Sequence, residues 1–252
     1  MSTLPPNPKK RYEGKAKIIY DTDQPDVLLS WYKDDATAFN AQKRGQIVGK
    51  GEINCTMSSR LFQLLEANGI QTHWIDQPSS NTMRVRAVTI VPLEVVVRNI
   101  AAGSLCRQTG IAVGTVLDPP LVEFYYKNDE LGDPLMTRDR ILAMELTTDN
   151  VLEQLETLAR QIDEILSTFF EQCGITLVDF KLEFGYDDTG NILLADEISP
   201  DTCRLWNKAE PDPQKRVMDK DRFRHDLGNV ESAYQQVLER VLSEHPSASP
   251  PS

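Results

Sequence analysis

At 252 residues, with 40% hydrophobic and 26% charged content, the chain carries enough apolar material for a substantial core, in one large domain or two small ones. Its net charge of -11 and pI of about 4.8 argue against non-specific attraction to nucleic acid or to an anionic membrane surface, so an anionic ligand needs local basic clusters. Cys55, Cys106, Cys173 and Cys203 form no CxxC or Cys/His metal spacing and suit a reducing cytoplasm, while no run approaches the ~18 apolar residues of a membrane span.

The stretch RYEGKAKIIY (11–20) reads as a basic turn bent at Gly14 and followed by a strand, with Lys15 and Lys17 on one face. That face suits phosphates or, equally, a charged strand edge that resists pairing; the P-loop pattern GxxxxGK[ST] is absent. Val27 to Tyr32 is a second strand and Asp34 to Thr37 a turn. From Gly51 to Asn68 the apolar residues recur at helical spacing, with Gly69 as the stop. Met83 to Ile90 and Leu93 to Val97 read as strands separated by Pro92, which cannot donate to a ladder. The division between lobes is placed there: residues 1–91 as a β-rich lobe, 92–245 as an α+β lobe, and the Pro/Ser tail 246–252 as disordered. Ser104 stands where an N-cap belongs for a helix over Leu105 to Thr109; with Arg98 nearby, this is an anion site or a plain capped helix. Leu121 to Tyr126 is a strand ending at Lys127, and Thr148 or Asp149 caps a long amphipathic helix reaching Phe170.

In the stretch 177–206, Val178, Phe180, Leu182 and Phe184 alternate with Asp179, Lys181 and Glu183, giving one dry and one charged strand face. Asp187 to Asn191 is turn chemistry, and Ile192 to Ala195 returns as a strand. An even loop would set Glu183 opposite Asp196, and like charges so placed repel. A divalent cation such as Mg²⁺ or the ammonium of Lys181 would answer that repulsion. Removing either carboxylate should then relieve the metal-free protein. Arg204 follows, then the basic residues Lys220, Arg222 and Arg224, and a last amphipathic helix from Val230 to Val241. His73, His225 and His245 are isolated and read as structural or surface residues, and no GxSxG, HExxH or GxGxxG is present.

The stretches RYEGKAKIIY, VPLEVVVRNIAAGSL, FYYKNDELGDP, LVDFKLEFG, ADEISPDTCRLW and MDKDRFRHDLG, in that order, resemble the phosphoribosylaminoimidazole-succinocarboxamide synthase (SAICAR synthetase) family over roughly residues 10–242. The resemblance implies a two-lobed, ATP-grasp-like α+β fold with ATP between the lobes. It also implies a ligase of purine synthesis that joins 5-amino-1-(5-phosphoribosyl)imidazole-4-carboxylate (CAIR) to L-aspartate through an acyl phosphate, releasing ADP and phosphate. Carried over, Lys15 and Lys17 are expected at the ATP phosphates, Arg86, Ile90, Val91 and Leu93 around the adenine, and Glu183 and Asp196 on Mg²⁺. Lys17, Lys181 and Asp179 are the expected catalytic groups; Arg98, Ser104, Arg204, Lys127, Lys220 and Arg224 are expected at the imidazole nucleotide. Ala87 and Asn40 depart from the family's pattern. A homodimer or other homo-oligomer is expected, with no nucleic acid or membrane partner.

Overall fold

The computed structural model describes residues 9–38 and 42–244; Asn40, His245 and the expected tail 246–252 lie outside the described residues. Lys10–Glu13 (β1) and Lys17–Asp21 (β2) flank the Gly14 bend, where the Gly14 N–H donates to the Lys17 carbonyl at 2.9 Å. β2 pairs with Val27–Tyr32 (β3). Where a turn over Asp34 to Thr37 is expected, Asp35–Ala38 (β4) pairs instead with Lys43–Gln46 (β5). Only Asp34 keeps turn chemistry: its carboxylate accepts the N–H groups of Gly49 and Gly51 at 3.0 and 2.8 Å and so starts Lys50–Ala67 (α1). Gly51 is required there, because a Cβ would meet the Tyr32 carbonyl oxygen at 2.6 Å. Trp74–Ser79 (β6) and Thr82–Arg86 (β7) complete a five-stranded sheet in the order β1-β2-β3-β7-β6, against which α1 packs.

Thr89–Ile100 (β8) runs unbroken through Pro92, which corrects the expected pair of separate strands. Its partner strand pairs Glu183 with Glu94 but Gly185 with Ile90, so the ladder slips at Pro92 and asks no N–H of it, while its carbonyl accepts the Lys127 N–H at 3.1 Å. Gly103–Thr109 (α2) is N-capped by Ala102 rather than Ser104, which lies inside the first turn. Val116–Tyr126 (β9), longer than expected, pairs with β8 and with Leu135–Met136 (β10). After Arg138–Ala143 (α3), Thr148 caps Asp149–Gln172 (α4), accepting the Val151 N–H at 3.4 Å. The α4 stripe of Leu152, Leu155, Ile162, Leu166 and Phe170 is fully buried on the second sheet.

Ile175–Tyr186 (β11) is the centre of that sheet. β8 lies along one edge; Ile192–Ala195 (β12) and Cys203–Asn207 (β13) share the other, one at each end. The hairpin loop holds five residues, because the Asp187 carboxylate accepts the N–H groups of Thr189 and Asn191 at 3.0 and 2.8 Å. Tyr186 therefore opposes Ile192, and Glu183 opposes Ala195, not Asp196. The charged face of β11 is also not a solvent face, since Asp179 and Glu183 are each 4% exposed. Asp221–Arg224 (α5) and Val230–Ser243 (α6) end the fold, with α6 against α1. Arg222 leaves the basic cluster: it is buried and donates to the Val217, Leu227 and Gly228 carbonyls. Among the described residues no helix is long and apolar enough to cross a membrane.

Candidate active site

Between β12 and β13 the chain leaves the edge of β11 and loops over residues 196–202, and a cleft of about 990 Å³ opens there between the two sheets. Lys17 on β2 reaches across it, pairing with Asp196 and, at 3.1 Å, with Glu197. Lys181 on β11 contacts Glu183, Glu94 at 3.1 Å and Asp196 at 3.3 Å, while Lys127 contacts Glu183 at 2.8 Å. Asp196 shares Lys181 with Glu183 despite the shifted register, because its backbone turns left-handed (φ 61) and breaks the alternation of β12. Burial disfavours the charged form of Asp196, but Lys17 and Lys181 outweigh it and hold the carboxyl well below the usual range. Burial works equally against the two ammonium groups, and the surrounding carboxylates hold both charged. The carboxylate directly opposed to Glu183 on β8 is Glu94.

At the other end, Arg98 on β8 and Arg204 on β13 converge on one oxygen of Asp179, at 2.8 and 2.7 Å. Arg98 also donates to Glu123 at 2.7 Å, to the Ser104 hydroxyl at 3.0 Å and to Tyr125 at 3.1 Å. Arg204 donates to Asp221 at 2.8 Å, and Arg224 to the same residue at 2.6 Å. The Arg204 guanidinium lies against Gly103 (φ +57), where a Cβ would meet it at 2.5 Å. Lys220 and the fully buried Lys50 share Asp201, at 3.2 and 3.0 Å, with the Tyr234 hydroxyl donating at 2.9 Å.

A third part of the cleft is apolar, lined by Ile19, Leu28, Val85, Val88 and Ile90, with Arg86 and His73 beside it. His73 is buried, so its imidazole is pushed down to about 3 and is neutral. Val91 and Leu93 point into the core, and their side chains do not line this slot. Lys15 lies at the rim, paired with Asp129 at 2.6 Å. The cleft thus gathers every residue expected at the site except Val91 and Leu93. It adds Glu94, Tyr125, Glu197, Asp201 and His73, while Glu123 and Asp221 stand behind the arginines. Glu197 had a signal in its adjacency to Asp196; Glu94 had none, since its place opposite Glu183 depends on a pairing between distant strands.

A sequence profile described as SAICAR synthetase matches residues 10–241. The chain belongs to the SAICAR synthetase family. It is 70% identical over 234 residues to the phosphoribosylaminoimidazole-succinocarboxamide synthase of a Nostoc species, covering 93% of this chain and 96% of that protein. Among solved structures, the phosphoribosylaminoimidazole-succinocarboxamide synthase of Ehrlichia chaffeensis superposes with a TM-score of 0.89 at 44% identity, covering 94% of this chain and all of that one. A SAICAR synthetase described in complex with ADP superposes at 0.87 with 45% identity, covering 94% of this chain and 99% of that one. The two-lobed α+β fold of SAICAR synthetases is therefore the fold of this chain.

Proposed function

We propose that this enzyme joins CAIR to L-aspartate at the expense of ATP, forming SAICAR, ADP and phosphate in purine synthesis. The observation that carries this reading is the cleft itself, which joins an apolar slot, a lysine–carboxylate cluster and an arginine pocket in one space. The slot suits the adenine of ATP between Ile19, Leu28, Val85 and Ile90, with Arg86 at its edge. Val91 and Leu93 would serve only through their backbone. Lys15, Lys17 and Lys181 present ammonium groups toward the triphosphate, exchanging their carboxylate partners for phosphate oxygens. Arg98, Arg204 and Ser104, with Lys220 and Arg224, hold the ribose phosphate of CAIR, and Asp179 fixes the two guanidinium planes toward it.

Positioning and charge neutralisation suffice for phosphoryl transfer. Held in line, the CAIR carboxylate takes the γ-phosphoryl and ADP leaves; the aspartate amine then forms the C–N bond as the acyl C–O bond breaks and phosphate departs. The donor set fits Mg²⁺: Glu183 and Asp196 are hard oxygen ligands that converge on the Lys181 ammonium, and one or two carboxylates with substrate phosphates are the usual ligands of that ion. Glu183 and Asp196 would hold the ion, which when bound would neutralise charge on the phosphates. The same proposal places the enzyme in the cytoplasm as a homodimer or larger homo-oligomer. The free thiols of Cys55, Cys106, Cys173 and Cys203 support the first part, and the prevalence of symmetric homo-oligomers among enzymes the second.

ADP release with Mg-ATP and CAIR, measured with L-aspartate, without it and with other amino acids, tests the reading. Sustained release that requires aspartate is expected; equal release without any amino acid would make the protein an ATPase or a phosphotransferase.

A further inference from the structure

Asp219 belongs to none of the groups above, yet it is fully buried beside the arginine pocket, in the segment entering α5. One carboxylate oxygen accepts the N–H of Leu205 at 2.8 Å, and the other accepts the N–H of Asp221 at 2.8 Å. Leu205 directly follows Arg204 on β13, and Asp221 is the acid that takes the Arg204 Nε and the Arg224 guanidinium. The neighbouring backbone is laced the same way, with the Met218 N–H donating to the Leu205 carbonyl at 2.9 Å.

We propose that Asp219 is a positioning residue for the phosphate end of the cleft, joining the backbone beside Arg204 to the backbone of the acid that aims Arg204. The inference rests on the reading that Arg204 takes the CAIR phosphate. A buried carboxylate is a costly way to stitch a turn, since burial and the nearby Asp221 charge both work against its charged form. Its justification is chemical: a carboxylate offers an acceptor on each oxygen, whereas Asn has one acceptor and one donor. Two N–H groups on two separate elements demand the former. With both bonds made, β13 and α5 hold a fixed distance. The Arg204 guanidinium is then confined by Asp179, Asp221 and the Gly103 backbone to one orientation. With one bond lost, Asp221 is free to shift and Arg204 with it, although neither touches the ATP slot.

The test uses Asp219→Asn, Asp221→Asn, the double variant and Arg204→Met in the full chain, reading KM for CAIR, KM for ATP, and Tm. Asp219→Asn is expected to raise KM for CAIR about tenfold while leaving KM for ATP within about twofold, the scale of one hydrogen bond to a charged group. Because Asp219 acts through Asp221, the double variant should be no worse for CAIR than the more severe single one. The proposal is overturned if both KM values rise together, if neither changes while Tm falls, or if the two single effects multiply. Asp221 is less buried than Asp219, so its variant serves should Asp219→Asn fail to fold; an unchanged KM for CAIR in Asp221→Asn overturns the proposal alone. An unchanged KM for CAIR in Arg204→Met would instead remove the phosphate from this end of the cleft, and the inference with it.

Discussion

Glu183 and Asp196 illustrate how a residue-scale argument changes sign once partners are known. From the sequence they are two like charges facing each other, whose removal should relieve strain. In the fold each is already balanced, Glu183 by Lys127 and Lys181, Asp196 by Lys17 and Lys181. Taking away one carboxylate leaves largely desolvated ammonium groups short of a partner, and breaking such a pair destabilises. Asp196→Asn is therefore expected to lower unfolding free energy by about 2 kcal/mol in urea titrations without metal. Turnover in Asp196→Asn and in Glu183→Gln should fall at least about a hundredfold, the scale of losing one preorganised charge contact. Normal turnover in either variant would remove that carboxylate from the phosphate machinery.

At the scale of elements, α4 packs its apolar stripe on the second sheet, but it also carries Asp163, 6% exposed, on the same face. One oxygen of Asp163 accepts from the Asn99 amide at 2.7 Å and from the Ser167 hydroxyl at 3.1 Å, which ties the helix to β8 one residue beyond Arg98. Burial raises the Asp163 carboxyl above its ordinary value, against the lowering effect of those two bonds. The folded state therefore holds this proton more tightly than the unfolded chain, and the charged group costs stability as pH rises through its ordinary range and beyond. Asn in its place keeps an oxygen for both donors. Asp163→Asn should raise the urea midpoint at pH 7, with the gain shrinking toward pH 4; a lower midpoint at pH 7 would show the charge itself to be needed. Pro92 carries the complementary lesson. Proline signals an interruption, and there is one, but it is a slip in the ladder that β8 passes through, because β11 pairs with it on either side of Pro92 while β9 joins only from Leu93 onward.

For the whole molecule, the cysteines report how tightly the two sheets and their helices close. Burial pushes the Cys55 and Cys173 thiols up to about 12, and Cys203 higher still; Cys106 on α2 is only half-buried. Since the thiolate is the reactive form, iodoacetamide at pH 8 should label Cys106 alone in the native protein and all four cysteines in denaturant. Rapid native labelling of Cys203, which borders the cleft, would mean that the loop over residues 196–202 opens in solution.

Local chemistry is enough to place the long helix with its Thr148 cap, the β11–β12 hairpin and the charged alternation of Asp179, Lys181 and Glu183, because these depend on period and turn residues within one stretch. Motif order is enough to identify the family. Lys181 could be read locally as a partner for Glu183 and Asp196, but the other partners of those charges could not. The five-residue loop set by Asp187 moved Asp196 out of register, and the left-handed backbone of Asp196 brought it back to Lys181. Glu94 and Glu123 joined the site from strands far away in sequence, and Asp221 from the start of α5. Which charge neutralises which is fixed by distances across the cleft, and those exist only once the sheets have packed.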